Sequence, residues 1–561
     1  MHLESICLPL ADNKLKTKPL RGLFFMKKIS LLFLFLAFTI PYRSVPWPSF
    51  YMDGFALLSV IFFIFSNKSN QIYFSINKYT LFIFLFISMI IIQYLFRNDI
   101  FLQNVILGVS YLVFSFAAFN FLATSKNDDF FIDLIIVVIF ASVVNVVFQL
   151  IQFFDAGDWW RNFILPLIGN RPYSNFGQPN QLGTFYVFSV VGVILLFEYK
   201  KIKLIELIFL TLLISCGVAL TASRTALLSI ILVFLLCGAF DRDRIRHGSY
   251  FLFVLLGVFT FYCFFSIFSL SREMVGQDVS SGRFDLWNMM FEASRQKIWG
   301  GWGFDNTLNA SFDFVDFYPG WYHQAIAQTH NLFFDFIIWF GFPIGVGLFS
   351  LFLYSVFDVF IKNKNSNKIL IFYGAMPFLV HSMLEYPLHY FYMLILFSLT
   401  MGCLYNGNGP VVNISKYFYT LPVFVFCAIL GFISIQYIQV KNIIDLQRRS
   451  IVLNGFIPDQ DPIKVQMIDA LQIHANLLKR SENYSNEDFE NLERVIKKYP
   501  VAVSFKKLIN HFDDEENCSS AKFWYEKSKI ILGEIDFDNM NVNPLKCLNN
   551  NPSSPPASPA P

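Results

Sequence analysis

Charge is scarce in this chain: Asp, Glu, Lys and Arg make up 15% of its 561 residues, while 55% are hydrophobic and 19% aromatic. The mean hydropathy of +0.50 is too high for a soluble domain of this size, so membrane embedding is the direct reading. Basic blocks are missing as well, and with a net charge of only +3 the sequence argues against nucleic acid as a partner. Cysteines lack metal-ligand spacing. Cys216, Cys237, Cys263, Cys403 and Cys427 fall singly inside apolar runs, where they read as small buried hydrophobes and imply neither zinc nor haem. Cys518 and Cys547 share the C-terminal tail and can pair if that tail lies outside the cytoplasm. No small-x-small cleavage site follows the apolar run after Lys28, which therefore reads as a retained first span. Residues 1–25 read as a non-structural extension, with Met26-Lys27-Lys28 as the natural start.

What the sequence has in abundance is long apolar runs. They occur near residues 29–46, 51–66, 79–96, 101–124, 130–154, 182–198, 204–221, 225–240, 250–270, 332–358, 368–383, 388–405 and 417–438, which predicts an all-α polytopic membrane protein of about thirteen transmembrane helices spanning residues 26–438. Short loops carrying Lys27, Lys28, Lys68, Lys78, Lys126, Lys200, Lys201, Arg242, Arg244, Lys362 and Lys416 alternate with loops poor in lysine, which predicts an N-terminus inside and a C-terminus outside. The outer loops hold mainly arginine: Arg43, Arg97, Arg161, Arg171, Arg224, Arg272, Arg283 and Arg295, with Lys297 the exception.

Two outer loops, 155–181 and 271–331, are long and rich in Trp, Tyr, Gly and Asn, a composition suited to a membrane boundary and, at that length, to function. Residues 439–540 turn polar with a helical period and predict a small helical domain on the outer side, followed by a Ser/Pro-rich tail, 541–561, that cannot pack a core.

Four constellations at the predicted outer ends carry polar chemistry. Asn175-Phe176-Gly177-Gln178-Pro179-Asn180-Gln181 presents amides at the membrane surface, able to bind sugar hydroxyls or phosphate oxygens, or is an ordinary turn into a helix N-cap. Thr221-Ala222-Ser223-Arg224-Thr225 lies between two runs so close together that Arg224 sits at the boundary, paired with a ligand or snorkelling to headgroups. Ser281-Gly282-Arg283-Phe284-Asp285-Leu286-Trp287 precedes Trp299-Gly300-Gly301-Trp302-Gly303 and Gln328-Thr329-His330-Asn331. Arg283 is either a second outer cation or the partner of Asp285, and His330 is either a titratable group at a helix start or a capping residue. The fourth, His381-Ser382-Met383-Leu384-Glu385-Tyr386-Pro387-Leu388-His389-Tyr390, packs His, Glu and Tyr into one short turn. There Glu385 can orient a histidine, or the group simply caps a helix end.

Guanidinium forks onto paired phosphate oxygens better than ammonium does, so outer arginines suit a diphosphate. Carboxylates are thin on that side, where the first outer loop offers only Asp53 and where Asp241 and Asp243 do not lie, so no catalytic metal and no cofactor are predicted.

The chain resembles the bacterial O-linked oligosaccharyltransferases, protein-glycosylating relatives of the O-antigen ligases and polymerases. The likeness covers most of the chain and is carried by Gly177-Gln178-Pro179-Asn180, Ser223-Arg224-Thr225, Gln328-Thr329-His330-Asn331 and the stretch from His381 to Glu385-Tyr386-Pro387. The resemblance implies a multi-pass enzyme of the bacterial inner membrane with its site facing the periplasm. Such an enzyme, embedded in membrane lipid, moves a glycan from undecaprenyl diphosphate to Ser or Thr of pilins or other exported proteins. By position Arg224 and Arg283 resemble the diphosphate-binding arginines, His330 the essential histidine, and Gln178 and Tyr386 supporting residues. Asn180 and Asn331 join the binding set, and Glu385 and His381 join the catalytic set on chemical grounds. An O-antigen ligase or polymerase acting on a sugar, and a transporter of lipid-linked glycan, are the alternatives.

Overall fold

The computed structural model describes residues 17–43, 47–66, 71–124, 129–156, 160, 162–241, 243–268, 279–317, 326–362, 366–406, 410–454, 467–479, 485–538 and 547. Helices account for nearly all of the described structure. In chain order they are α1 (Thr17–Thr39), α2 (Phe50–Phe65), α3 (Lys78–Phe96), α4 (Leu102–Thr124), α5 (Asp129–Phe154), α6 (Pro179–Glu198), α7 (Leu204–Thr221), α8 (Arg224–Phe240), α9 (Arg244–Phe268) and α10 (Val279–Gln296). There follow α11 (Thr307–Phe314), α12 (Leu332–Phe340), α13 (Phe342–Lys362), α14 (Ser366–Ser382), α15 (Phe391–Tyr405), α16 (Lys416–Asn454), α17 (Asp469–Lys479), α18 (Asn486–Ile496), α19 (Ala502–Asp514) and α20 (Cys518–Asp538). Among the described residues eight helices are long and apolar enough to cross a membrane (α3, α4, α5, α6, α7, α9, α13 and part of α16), and α2, α8 and α15 are shorter and apolar. The chain is a multi-pass membrane protein. One exception to the all-α expectation is a two-stranded antiparallel pair, β1 (Gln71–Ser75) with β2 (Val411–Ser415), in register Gln71 to Ser415. Its β-branched and aromatic residues lie between helix ends, where a short ladder satisfies their backbone groups.

Several boundaries differ from the sequence reading. Helix α1 starts at Thr17, so residues 17–25 are helical and not an extension: Pro19 falls in the first turn, where its missing N–H costs no helical hydrogen bond, and Leu20, Leu23, Phe24 and Phe25 continue the apolar run. Residues 1–16 lie outside the described ones. The run expected at 332–358 is two helices broken at Gly341. The loop expected at 271–331 contains α10 and α11, and the boundary expected at 439 falls inside α16, which has no glycine or proline between 440 and 453 to stop it. The tail set aside from 541 is tied down at Cys547, which is bonded to Cys518 and donates its N–H to Asp513 at 2.9 Å. The rest of that tail lies outside the described residues.

The C-terminal helices sit on the end of the bundle where α4 begins. Asp469 accepts the N–H groups of Leu102 and Gln103 at 3.0 and 3.1 Å, filling the unsatisfied donors of the α4 terminus as an N-cap would. Phe312 and Val315 pack with Ile496, Phe505, Leu508 and Trp524 in a second apolar core. Lys527 donates to the Phe312 carbonyl at 2.9 Å and pairs with Asp316 at 2.6 Å.

The Trp-Gly cluster explains the break at Gly341. Gly301 has φ +65° and Gly341 φ +80°, and a Cβ on Gly301 would stand 2.5 Å from the Gly341 nitrogen. This approach lets Trp302 donate to the Ile338 carbonyl at 2.6 Å and Phe342 to that of Ile298 at 2.7 Å. Arg97 adds bonds to the carbonyls of Gly301 and Trp302 at 2.7 and 2.9 Å, so this outer arginine holds backbone. Gly301→Ala is expected to destabilise the protein by about 1–3 kcal/mol through strain and clash, read as a lower unfolding temperature of the solubilised protein. Gly300→Ala, where a Cβ meets open space, is the control, and equal effects of the two would refute the account.

Candidate active site

Glu385 is the centre on which the predicted residues converge. It lies in the turn between α14 and α15, where its N–H bonds back to the His381 carbonyl at 2.7 Å, and this one-turn spacing sets its carboxylate beside the His381 ring. His381 Nε2 meets Oε2 at 3.0 Å and its Nδ1 meets Thr184 Oγ1 at 2.8 Å. Gln178 donates from Nε2 to Oε2 and Asn180 from Nδ2 to Oε1, each at 2.5 Å. Arg283 completes the set from α10, with Nη2 3.2 Å from Oε1. Its partner is therefore Glu385 and not Asp285, which is exposed. Burial pushes the Glu385 carboxyl up, but the hydrogen bond and charge of His381 and the two amide donors reverse this and hold it at about 2. It is ionised throughout the physiological range.

Local chain geometry delivers these groups. Gly177 turns with φ +67° and lies so close to Arg43 that a Cβ would stand 2.5 Å from Nε. Gln178 then caps α6, its Oε1 accepting from the Gln181 N–H at 3.1 Å, with Pro179 in the first position. The N-cap reading of this motif holds, and the other end of the same amide is directed at Glu385. The amides do not face the membrane surface as expected. Asn175 is buried and bonds the Thr39 and Phe163 carbonyls at 2.6 and 2.9 Å, and Gln181 accepts from the Tyr392 hydroxyl.

At the α7–α8 junction Ala222 takes φ +45° and Ser223 caps α8, its hydroxyl also donating to Asn180 Oδ1 at 2.9 Å. Arg224 follows as the first residue of α8 and is exposed. Arg171, which the sequence reading counted but did not select, bonds Asn180 Oδ1 at 3.0 Å and the Thr221 carbonyl at 2.9 Å. Burial lowers its guanidinium below the usual range, Glu385 opposes this, and the like charge of Arg224 adds to the lowering. Arg283 bonds the Glu385 carboxylate, Arg171 interacts with it electrostatically, and Arg224 lies within electrostatic reach of Arg171, so cations outnumber carboxylates here and leave positive charge for an anion to neutralise.

His330 stands beside this cluster in the left-handed region, φ +56°, a sparsely populated conformation for a side chain of its size. Its neighbours hold it there. Thr329 gives its N–H and hydroxyl to Asp335 at 3.2 and 2.8 Å, and Asn331 caps α12 while donating to the Met383 carbonyl at 3.1 Å. Trp287, one turn after Arg283, donates to the Thr329 carbonyl at 3.2 Å, so α10 grips both the carboxylate and the histidine turn. The Tyr386 ring meets His330 edge-on, centroids 5.0 Å apart. Burial pushes the Tyr386 phenol up, with help from Tyr390 and Glu385, so it stays protonated.

Two histidines are driven apart. Burial lowers His330 below its usual 6.5, against Glu385 and with Arg283. Burial also lowers His389, but Asp335, 3.1 Å from its Nε2, more than reverses this. Two imidazoles in adjoining turns whose proton affinities are pushed in opposite directions are the ingredients of acid–base chemistry. Asp335, Thr184 and Arg171 escaped the sequence reading, and His389 was quoted in its motif without a role. The signals were a carboxylate six residues after Thr329 in an apolar run, and an arginine seven before Gln178.

The family described as O-Antigen ligase matches residues 209–350, a stretch that holds Arg224, Arg283 and His330. The chain is 27% identical over 418 residues to the ComP-specific O-oligosaccharyltransferase of Acinetobacter baylyi, covering 72% of this chain and 75% of that one. It is 26% identical over 255 residues to the general O-oligosaccharyltransferase of the same organism, covering 43% and 44%. Over residues 209–350 the chain is similar to the O-antigen ligases and over most of its length to an O-oligosaccharyltransferase, and it is accordingly a glycosyltransferase of the membrane.

Proposed function

We propose that the protein transfers an oligosaccharide from undecaprenyl diphosphate to a serine or threonine hydroxyl of exported proteins such as pilins, at the periplasmic face of the inner membrane. The observation that carries this is the meeting of Arg283 and Arg171 at Glu385, with Arg224 within electrostatic reach of Arg171 and His330 alongside. The Cys518–Cys547 bond supports an oxidising compartment for the C-terminal helices, and those helices stand at the end of the bundle that carries the site. One relative is named for a single acceptor, ComP, and the other for general transfer, which favours protein over sugar as the acceptor here.

The arginines neutralise the diphosphate, the largest contribution to catalysis, because charge develops on that leaving group as the glycosidic bond breaks. His330, neutral at pH 7, takes the proton of the acceptor hydroxyl as its oxygen attacks the anomeric carbon, a role worth about 10² to 10⁴ in rate. The bond from the anomeric carbon to the diphosphate oxygen breaks in the same displacement, so the centre inverts and no metal takes part. Glu385 is the frame that aims Gln178, Asn180 and Arg283. His381, fully buried with both ring nitrogens engaged, is a positioning residue, and the Tyr386 ring orients His330.

Co-expression with a pilin and a lipid-linked glycan is expected to raise the pilin's mass by one glycan. His330→Ala and Arg224→Ala are each expected to abolish that shift while membrane insertion is kept, and an unchanged shift in His330→Ala refutes the assignment of the base. The pH profile carries a second test. Because the His330 pKa lies below its usual 6.5, transfer is expected to hold at pH 7 and fall only on acidification below that value, as the ring gains its proton. Arg283→Gln removes a cation that disfavours protonation and is expected to move this acid limb upward, whereas Glu385→Gln moves it downward. Limbs displaced in the same direction would disprove the arrangement.

A further inference from the structure

A cavity of about 670 Å³ opens on the side of Tyr386 away from the arginines. Tyr386, His389 and Tyr390 close its site end. Its walls descend along α4 from Gln103 past Asn104, Leu107 and Leu112 to Ser115, a depth of about 18 Å at 1.5 Å per helical residue. Asp305 and the Lys498–Val501 segment of the C-terminal helices also line it.

Charge decides what this chamber can hold. The lysine of its lining, Lys498, pairs with Asp305 at 2.7 Å, His389 pairs with Asp335, and Asp53 lies in the wall. Among the described residues a diphosphate therefore finds no unpaired lysine or arginine here, while Arg283 and Arg171 interact with Glu385 on the other side of Tyr386. Polarity decides further. Asn104 is 5% exposed, and its Nδ2 is buried with no hydrogen-bond partner among the described residues. A hydrocarbon chain would leave that donor unsatisfied, whereas a peptide carbonyl would satisfy it. The remaining lining, Phe82, Phe86, Phe304 and Trp339 among it, suits apolar and proline side chains.

We infer that this chamber is the acceptor site. It takes the extended, apolar segment of the acceptor polypeptide, about five residues at the rise of an extended chain, with one backbone carbonyl on Asn104 Nδ2. The segment enters under the C-terminal helices and presents its hydroxyl past Tyr386 to His330. Donor and acceptor then approach from opposite sides of Glu385. The inference rests on the transfer to protein proposed above.

The test uses the full chain in membranes with lipid-linked glycan and acceptor protein. Leu107→Trp, which fills the chamber, and Asn104→Leu are each expected to raise the acceptor KM about tenfold while the donor KM stays within about twofold. A photo-crosslinking residue at position 112 is expected to capture the acceptor segment, identified by mass, which holds even if a substituted chain inserts poorly. Capture of the prenyl donor, capture of neither substrate, or a raised donor KM with an unchanged acceptor KM overturns the inference. Absence of glycan transfer to protein by the unsubstituted chain defeats the functional reading itself and is scored before any variant.

Discussion

An ionised carboxylate withdrawn from water must be surrounded by donors, or it takes up a proton. Glu385 is 5% exposed and ionised, and the rest of the site is arranged to make that possible. The start of α6 supplies two amides, α10 a guanidinium and the end of α14 an imidazole. Each supplier is fixed by something else: Gln178 by its cap, Asn180 by Ser223 and Arg171, and His381 by Thr184. Removing one partner from such a cluster strands the others, so the group behaves as a unit and its parts are not additive.

The same burial that makes Glu385 dependent on its donors sorts the two histidines. His330 and His389 are separated in sequence by the whole of α12, α13 and α14, yet both lie against Tyr386. One has Arg283 near it and the other a carboxylate within hydrogen-bonding reach, and this difference drives their proton affinities in opposite directions. Backbone strain at His330, sustained by Thr329 and Asn331 on either side, keeps its ring from relaxing away from that environment.

Much of this was legible in the sequence, in an uneven way. Apolar runs mark helices because a helix bonds its own backbone where a bilayer offers no water, and the helices follow those runs except where α1 begins well before its run, where Gly341 breaks one and where α16 outlasts its apolar part. The polar motifs at helix ends were visible as caps and as chemistry; Gln178, Asn331 and Ser223 are caps, and each also bonds across to another element. What a linear pattern does not carry is which atom meets which across a distance such as the 207 positions between Gln178 and Glu385. Arg171 looked like any other outer arginine until Asn180 was seen against it, while Arg97 of the same set holds backbone. Asp335 and His389 sit 54 positions apart and gave no shared signal. The surface-facing amides expected at 175–181 are turned inward, Asn175 onto backbone groups of its own loop, Gln178 and Asn180 onto Glu385, and Gln181 onto Tyr392.

Asp469 caps a helix that begins 367 positions earlier. A ribosome delivers α4 long before it delivers that carboxylate, so the first turn of α4 and the roof above the chamber stay unfinished until nearly the whole polypeptide has been made. Assembly is accordingly ordered in time: the helices that line the chamber insert first, and the enclosure closes only on completion of the chain. A truncated product that stops short of Asp469 is left with an open well in place of a pocket.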